Sequence, residues 1–264
     1  MRTADMSGHT ETLEGGIDQL QKEEKVGIQN HINSIDAKRA LTKPTRCSCC
    51  DGRIDSTKAN REGAIRLPGS VVLLPESEWP AQAKRFRALG ITTIDSHEDC
   101  GAAGMAYEKQ FGKKGSPAQI DAYAEERVRH FCKTQGFHFG KHITKHDMAS
   151  EHHNELVLYY DASPAGMKKF EQSALRGQLS QGFALTESGS DNPHAHLLAL
   201  IGIAFSKHGS AEAALKRGVK FKVRVVAPTS ALLVSKRHEL TEVIKNSEYA
   251  DKVDVDGFVI NGWR

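Results

Sequence analysis

Short β-type runs alternate with longer helical runs along most of this 264-residue chain. The main β-type runs lie at residues 45–50, 91–95, 155–160, 219–227 and 253–260. Three of the intervening runs place apolar residues every three or four positions, as amphipathic helices do: 76–89, 119–134 and 230–247. Strands that alternate with helices favour parallel pairing, because each helix returns the chain to the same edge of the sheet. The sequence therefore predicts an α/β fold with a mostly parallel central sheet flanked by helices.

The N-terminal region has a different character from the rest. Residues 1–16 are polar and acidic, so we expect a disordered lead-in rather than a secretory signal. From residue 17 to 41 apolar positions recur at roughly helical spacing, which indicates one or two amphipathic helices. Beyond residue 41 the sequence contains no visible repeat or linker. Residues 17–264 are thus predicted to form a single domain, a length that one hydrophobic core can serve.

Composition excludes several functional classes. The apolar fraction of 39% and the charged fraction of 26% are those of an ordinary globular protein. The net charge of +3 is small and the basic residues are dispersed, so no nucleic-acid partner is expected. No apolar run approaches the roughly 18 residues that cross a bilayer, so no membrane association is expected. Five cysteines, three of them crowded into positions 47–50, indicate metal binding in a reducing compartment, and we expect a cytoplasmic protein.

Two short motifs carry the candidate metal ligands. Cys49 lies near the end of one predicted strand, and His97 and Cys100 follow another. Thiolate and imidazole are the ligands that zinc prefers in proteins. Three protein ligands leave a fourth position for water, which is typical of a catalytic rather than a structural zinc site. The spacing therefore predicts an open zinc site on Cys49, His97 and Cys100.

A carboxylate and a guanidinium accompany the first motif. Asp51 is two residues after Cys49, so an extended chain would place both side chains on one face, and Arg53 is two residues further on. A carboxylate held by a guanidinium stays ionised and is oriented by charge-assisted hydrogen bonds. Asp51 can then accept a hydrogen bond from zinc-bound water or hydroxide. We also hypothesise a switch in which Asp51, released by Arg53, takes the fourth zinc position and silences the site.

These motifs resemble those of a known enzyme family. Cys-x-Asp-x-Arg at 49–53, followed by His-x-x-Cys-Gly at 97–101, is similar to the zinc motif pair of the β-class carbonic anhydrases. The resemblance covers roughly residues 45–105. It implies zinc on Cys49, His97 and Cys100, with Asp51 and Arg53 as the catalytic dyad. It also implies reversible hydration of CO₂ to bicarbonate by a zinc-bound hydroxide, and homodimers or larger homo-oligomers that bury N-terminal helices.

Departures from the family pattern leave other functions open. The turn at residues 66–70 differs from the family sequence, and segments around 112–154 and 161–218 are extra. One alternative is a zinc hydrolase that acts on a CO₂ analogue such as COS or CS₂. Another is a non-catalytic, zinc-stabilised binding or regulatory protein, for which Cys47 is the candidate fourth ligand.

The remaining cysteines and a group of histidines have simpler interpretations. We expect Cys50 to be a small buried residue on the opposite face of its strand, and Cys132 to be a core residue of its helix. A histidine-rich segment runs from residue 138 to 153, and its first three histidines fall at helical i, i+4 spacing: His138, His142 and His146. A second metal site is one interpretation of this spacing. Gly140 and the lysines nearby favour an exposed, irregular segment instead.

Overall fold

Two parallel sheets flanked by helices make up the fold. The computed structural model describes residues 13–54, 63–148, 155–206 and 209–263. Within that part of the chain lie two four-stranded sheets, in each of which all strand pairs are parallel, and α-helices pack around them. The predicted α/β class is confirmed. Eight of the ten described strands divide between these two sheets, and the other two form a separate antiparallel pair, because periodicity identifies strands but does not say which edges pair.

The strands and helices alternate in the order that the sequence predicts. The strands are β1 (Leu41–Thr42), β2 (Arg46–Cys49), β3 (Ala64–Leu67), β4 (Thr93–His97), β5 (His138–Ile143), β6 (Val157–Asp161), β7 (Lys169–Phe170), β8 (Gly182–Thr186), β9 (Phe221–Ala227) and β10 (Val253–Val259). The α-helices are α1 (Leu13–Val26), α2 (Ile28–Ser34), α3 (Trp79–Ala88), α4 (Gly101–Phe111), α5 (Pro117–Gln135), α6 (Pro193–Ala204), α7 (Ala211–Leu215) and α8 (Ser230–Lys245).

The first sheet has the spatial order β3-β2-β4-β5. From β2 the chain moves to β3 on one side, and then returns to form β4 on the other side. The carboxyl ends of β2 and β4 are therefore neighbours at the point where the winding direction reverses. In open α/β sheets, ligands bind in the crevice outside the strand ends at such a point.

The second sheet repeats this arrangement with later strands. Its spatial order is β8-β6-β9-β10, so β6 pairs with β8 on one side and with β9 on the other. The β6 and β9 strands thus hold the positions that β2 and β4 hold in the first sheet. The two sheets share a strand order but have no visible sequence similarity. This shared order could therefore not be recognised as an internal repeat in the sequence.

The two sheets meet along β3 and β8. The Arg66 N–H donates to Thr186 Oγ1 at 3.0 Å, and the Ala184 N–H donates to the Cys50 carbonyl at 2.9 Å. One cluster of buried apolar side chains includes residues of both sheets, among them Leu67 and Phe183. The segment 161–218, which is extra relative to the family pattern, contains β7, β8, α6 and α7.

The N-terminal helices cover the second sheet of the same chain. Glu23 of α1 is fully buried and forms an ion pair with Arg224 of β9. Gln29 of α2 bonds to both backbone groups of Val259 at the end of β10. Helix α1 begins at Leu13, inside the predicted lead-in, and residues 1–12 lie outside the described residues.

The histidine-rich segment begins as a strand. The i, i+4 spacing of its first three histidines therefore does not place them on one face of a helix. His138 and His142 belong to β5, which pairs with β4, and His146 lies in a short 3₁₀ turn. His142 Nδ1 is 2.8 Å from Ser96 Oγ, so pairing with β4 decides the local structure. His152 and His153 lie outside the described residues. No helix in the described ranges has the length and apolarity needed to cross a membrane.

Candidate metal centre

The three predicted ligands lie together at the crevice between β2 and β4. The ligand atoms of Cys49, His97 and Cys100 all lie within 4.8 Å of one another, and all three residues are buried. The two sulfur atoms are 4.0 Å apart. A tetrahedral ion at about 2.3 Å from each sulfur would separate them by about 3.8 Å. The cluster can therefore hold a metal ion with little rearrangement.

The fold brings these residues together through the ends of two parallel strands. Cys49 is the last residue of β2 and His97 is the last residue of β4. Cys100 precedes the first turn of α4. Between them Asp99 adopts a left-handed backbone conformation with φ of 56°, which closes the turn from strand to helix. The Gly69 N–H donates to Cys49 Sγ at 3.1 Å and supports the ligand from the opposite side.

His97 is oriented as metal-binding histidines usually are. Its Nδ1 is 2.7 Å from the backbone carbonyl of Glu98. Because a carbonyl oxygen only accepts, Nδ1 carries the proton and Nε2 is left as an unprotonated ligand atom. Within the described residues, Nε2 is buried and has no hydrogen-bond partner. Buried polar atoms are rarely left unpaired, so this atom fits a metal ligand.

The two thiols have unequal acidity. Burial opposes ionisation of the Cys49 thiol. Hydrogen bonds from Cys100 and Cys50, together with the nearby His97, outweigh the effect of burial, so the pKa of Cys49 lies well below its usual value. The hydrogen bond to Cys49, together with burial, raises the pKa of Cys100 well above its usual value. Cys49 is thus the preferred thiolate, and a metal ion would replace the proton on Cys100.

Asp51 and Arg53 form a forked ion pair beside the cluster. Arg53 donates from Nη2 to Asp51 Oδ2 at 2.7 Å and from Nε to Oδ1 at 3.1 Å. The same Oδ2 is 3.9 Å from His97 Nδ1. Burial opposes the charge on Arg53, but the hydrogen bond and charge of Asp51 outweigh it and raise the pKa of Arg53. Asp51 is therefore held beside the ligands by a permanently charged partner.

Asp99 is a second partner of Arg53 that sequence reasoning missed. Arg53 Nη1 donates to Asp99 Oδ2 at 3.1 Å, and Nη2 donates to the Asp99 carbonyl at 3.3 Å. Asp99 lies between the predicted ligands His97 and Cys100 in the sequence. That position was the one sequence feature that could have indicated a role at the site. Its role depends on the left-handed turn, which the sequence does not specify.

The loop that carries the dyad is held by the second half of the chain. The Gly52 N–H donates to Glu155 Oε1 at 2.8 Å, and Arg176 donates to the Gly52 carbonyl at 3.2 Å. A Cβ atom on Gly52 would lie 2.2 Å from the Gly182 carbonyl oxygen, so the position requires glycine. No local sequence signal links these residues, because their contacts form only when the two sheets meet.

The other cysteines lie outside the ligand set. Cys50 is buried as expected, but it does not point to the opposite face, since its Sγ is 3.9 Å from that of Cys49. The β2 strand ends at Cys49, so the alternation of side chains between the two faces does not extend to Cys50. Cys132 is buried in α5 as predicted. In the described ranges, the single metal-ligand cluster found contains neither Cys47 nor a histidine of β5.

Comparisons with protein-family models, with curated proteins and with solved structures found no match to this chain. Its function has to be inferred from the chemistry of this site and from the motifs that compose it.

Proposed function

We propose that this protein is a zinc lyase of the β-carbonic anhydrase type that catalyses the reversible hydration of CO₂ to bicarbonate. The observation that carries the proposal is the Asp51–Arg53 ion pair beside the buried Cys49, His97 and Cys100 cluster. A purely structural metal site has no need of such a pair. The same residues form the two motifs that resemble the β-class enzymes.

The donor set fits zinc. Two thiols and one imidazole form a soft to borderline set that favours zinc over magnesium or calcium. When bound, zinc would supply a Lewis acid that makes water a nucleophile near neutral pH. The cluster contains three protein ligands, which leaves room for that water.

The residues around the cluster then orient the nucleophile. Asp51, held by Arg53 through both carboxylate oxygens, accepts a hydrogen bond from the attacking water and fixes the direction of its lone pair. Arg53 is itself held by Asp99, which limits rotation of the guanidinium. Both carboxylate oxygens of Asp51 bond to Arg53, which opposes the movement by which Asp51 would become a fourth ligand.

The turn at residues 66–70 departs from the family pattern and keeps COS or CS₂ as a second candidate class of substrate. Arg66 forms an ion pair with Glu171 at 2.6 Å and donates to the Cys49 carbonyl. Gly69 lies directly against the cluster, since a Cβ there would be 3.8 Å from Cys100 Sγ. The part of the pocket that differs from the family pattern is thus next to the ligands.

The test is a stopped-flow CO₂ hydration assay on protein of measured zinc content. We expect activity in the zinc-loaded protein, and a loss of about 100-fold in Asp51→Asn with zinc retained, as for removal of one oriented hydrogen bond. The exposed Asp251, in the turn before β10, provides the control Asp251→Asn, which should leave the rate unchanged.

Other outcomes would assign a different function. Release of sulfide from COS without CO₂ hydration would favour the analogue hydrolase. Full zinc occupancy without activity on either substrate from about pH 6 to 9 would reject catalysis and favour a zinc-stabilised binding protein.

Cytoplasmic location and a homodimer or larger homo-oligomer remain predictions. Helices α1 and α2 already pack on the second sheet of their own chain. An assembly would therefore use a surface other than the one that these helices cover, and light scattering would determine its size.

A further inference from the structure

A cavity of about 420 Å³ lies at the carboxyl ends of β6 and β8. It is lined by the loop after β6, the 3₁₀ turn Glu187–Gly189 after β8, the start of α6 and the first two turns of α8. Arg85 of α3 enters it from the first half of the chain. Its volume is within the range of small-molecule sites, roughly 300–1,000 Å³.

The cavity lies at the carboxyl ends of strands of the second sheet, as the metal centre does in the first sheet. In the first sheet the ligands lie at the ends of β2 and β4. In the second sheet β6 and β9 hold those two positions, and α8, which follows β9, forms one wall of the cavity. Strand ends at a reversal of winding are where open α/β sheets bind ligands. Among the described residues no cluster of three metal-ligating side chains lies here, so this second crevice has a different chemistry.

The polar groups available in this cavity are donors. Arg85 Nε and Ser188 Oγ are both buried and, in the described parts of the chain, have no hydrogen-bond partner. The other hydroxyls are engaged, since Ser190 Oγ lies 2.7 Å from His196 Nδ1 and Ser163 Oγ accepts from Lys169 at 2.9 Å. A bound molecule that carries acceptor oxygens would satisfy the two unpaired groups.

The charges around the cavity point the same way. Lys236 forms ion pairs with Glu187 at 2.5 Å and with Glu239 at 2.9 Å, so its single positive charge is engaged by these two carboxylates. Arg85 forms no salt bridge with a residue that the structure describes, and its guanidinium suits planar, forked binding of carboxylate or phosphate oxygens. An anion would therefore find an uncompensated cation and a free hydroxyl at this site.

We propose that this cavity is a binding site for a small oxyanion, the carboxylate or phosphate group of a small molecule, held by Arg85 and Ser188. The site is separate from the metal centre and does not depend on the proposed catalytic function. Carboxylate and phosphate share the chemistry that these donors recognise, so both are tested.

Isothermal titration with sodium phosphate and with succinate, against sodium chloride at matched ionic strength, tests the proposal. We expect saturable binding of at least one oxyanion at one site per chain. Arg85→Gln and Ser188→Ala should each weaken it at least about tenfold, the loss of one charge-assisted or buried hydrogen bond. Lys84→Gln removes a neighbouring exposed charge from the same helix and should bind as the wild type does.

A Cys100→Ser variant separates this site from the metal centre. Oxyanion binding should persist in that variant, and its loss would place the anion at the metal and overturn the proposal. Absence of saturable binding to the wild-type protein, or equal binding by Arg85→Gln, would also overturn it. Unfolding midpoints of all variants confirm that each protein titrated is folded.

Discussion

At the scale of single residues, His97 gives the firmest support for a metal ligand. Its Nδ1–H is fixed by the Glu98 carbonyl, while its Nε2 is a buried acceptor with no partner in the described part of the chain. An atom in that position is costly unless something binds it. The sequence predicted this residue from motif spacing alone, but the tautomer follows only from the observed hydrogen bond.

Removal of either cluster residue on the β4–α4 turn should abolish metal binding. We expect about one zinc per chain in the wild-type protein and little in His97→Ala or Cys100→Ser, because two ligands hold zinc poorly. Cys132→Ser is a matched control, since Cys132 is a buried cysteine outside the cluster. Elemental analysis after dialysis measures the ratio, and full zinc content in Cys100→Ser would rule out Cys100 as a ligand.

Asp99 should tune the rate rather than determine it. Its carboxylate is 43% exposed, and an exposed ion pair contributes about 0.2–1 kcal/mol, so Asp99→Asn should slow CO₂ hydration about two- to fivefold. Zinc content should not change. Asparagine tolerates the left-handed backbone that Asp99 adopts, so the variant isolates the charge. An unchanged rate would show that Asp51 alone positions Arg53.

At the scale of elements, the loop after β2 is limited by backbone contact with β8. Gly52→Ala would drive a Cβ into the Gly182 carbonyl, so we expect a loss of stability of about 1–3 kcal/mol and a rate loss of at least about tenfold as Asp51 moves. Gly104→Ala, in α4, meets only ordinary contact and should stabilise by about 0.5–1 kcal/mol. Denaturant unfolding measures the stability of both variants, and the hydration assay measures their rates. Equal effects of Gly52→Ala and Gly104→Ala would contradict the close contact between Gly52 and the Gly182 carbonyl.

Elements with strong local signals were predicted well, and those set by pairing were not. Helix α5, predicted over 119–134, spans Pro117–Gln135, and Gly136 adopts the left-handed conformation that ends it. The β5 strand has the sequence His-Phe-Gly-Lys-His-Ile, which has no clear apolar alternation. It is a strand because it pairs with β4, so tertiary contact outweighs local preference. The ligand set was predictable for the opposite reason, since zinc chemistry restricts residue type and spacing.

At the scale of the whole molecule, the buried pair Glu23–Arg224 fastens α1 to the second sheet. Removing Glu23 leaves the buried Arg224 with Asp256, at 3.3 Å, as its one ion-pair partner among the described residues and takes away the acceptor of two Ser180 hydrogen bonds, so Glu23→Ala should lower the free energy of unfolding by about 3–5 kcal/mol. Glu14 pairs with Arg217 on the exposed side of the same helix, and Glu14→Ala should change stability little. Denaturant unfolding compares the two, and a small effect of Glu23→Ala would show that α1 is held by apolar contact instead.

The relationship between the two sheets could not be predicted. Their shared strand order follows from how the chain winds, and no residue pattern in the sequence marks it. The contacts that hold the Asp51 loop join residues more than 100 positions apart, as between Gly52 and Glu155. Such contacts become visible only when the fold is known.

The candidate metal centre depends on contacts from two separate parts of the chain. Residues 13–148 contain the three ligands and the dyad, yet the Gly52 N–H and the Cys50 carbonyl are satisfied by Glu155 and Ala184. We therefore expect a fragment that ends near residue 148 to retain zinc affinity but lose catalysis, and the complementary fragment to restore it when the two are co-expressed. The candidate ligands and the dyad lie in one segment and the contacts that hold the Asp51 loop come from another, so a mutation in the second segment can disturb the dyad and leave the ligands in place.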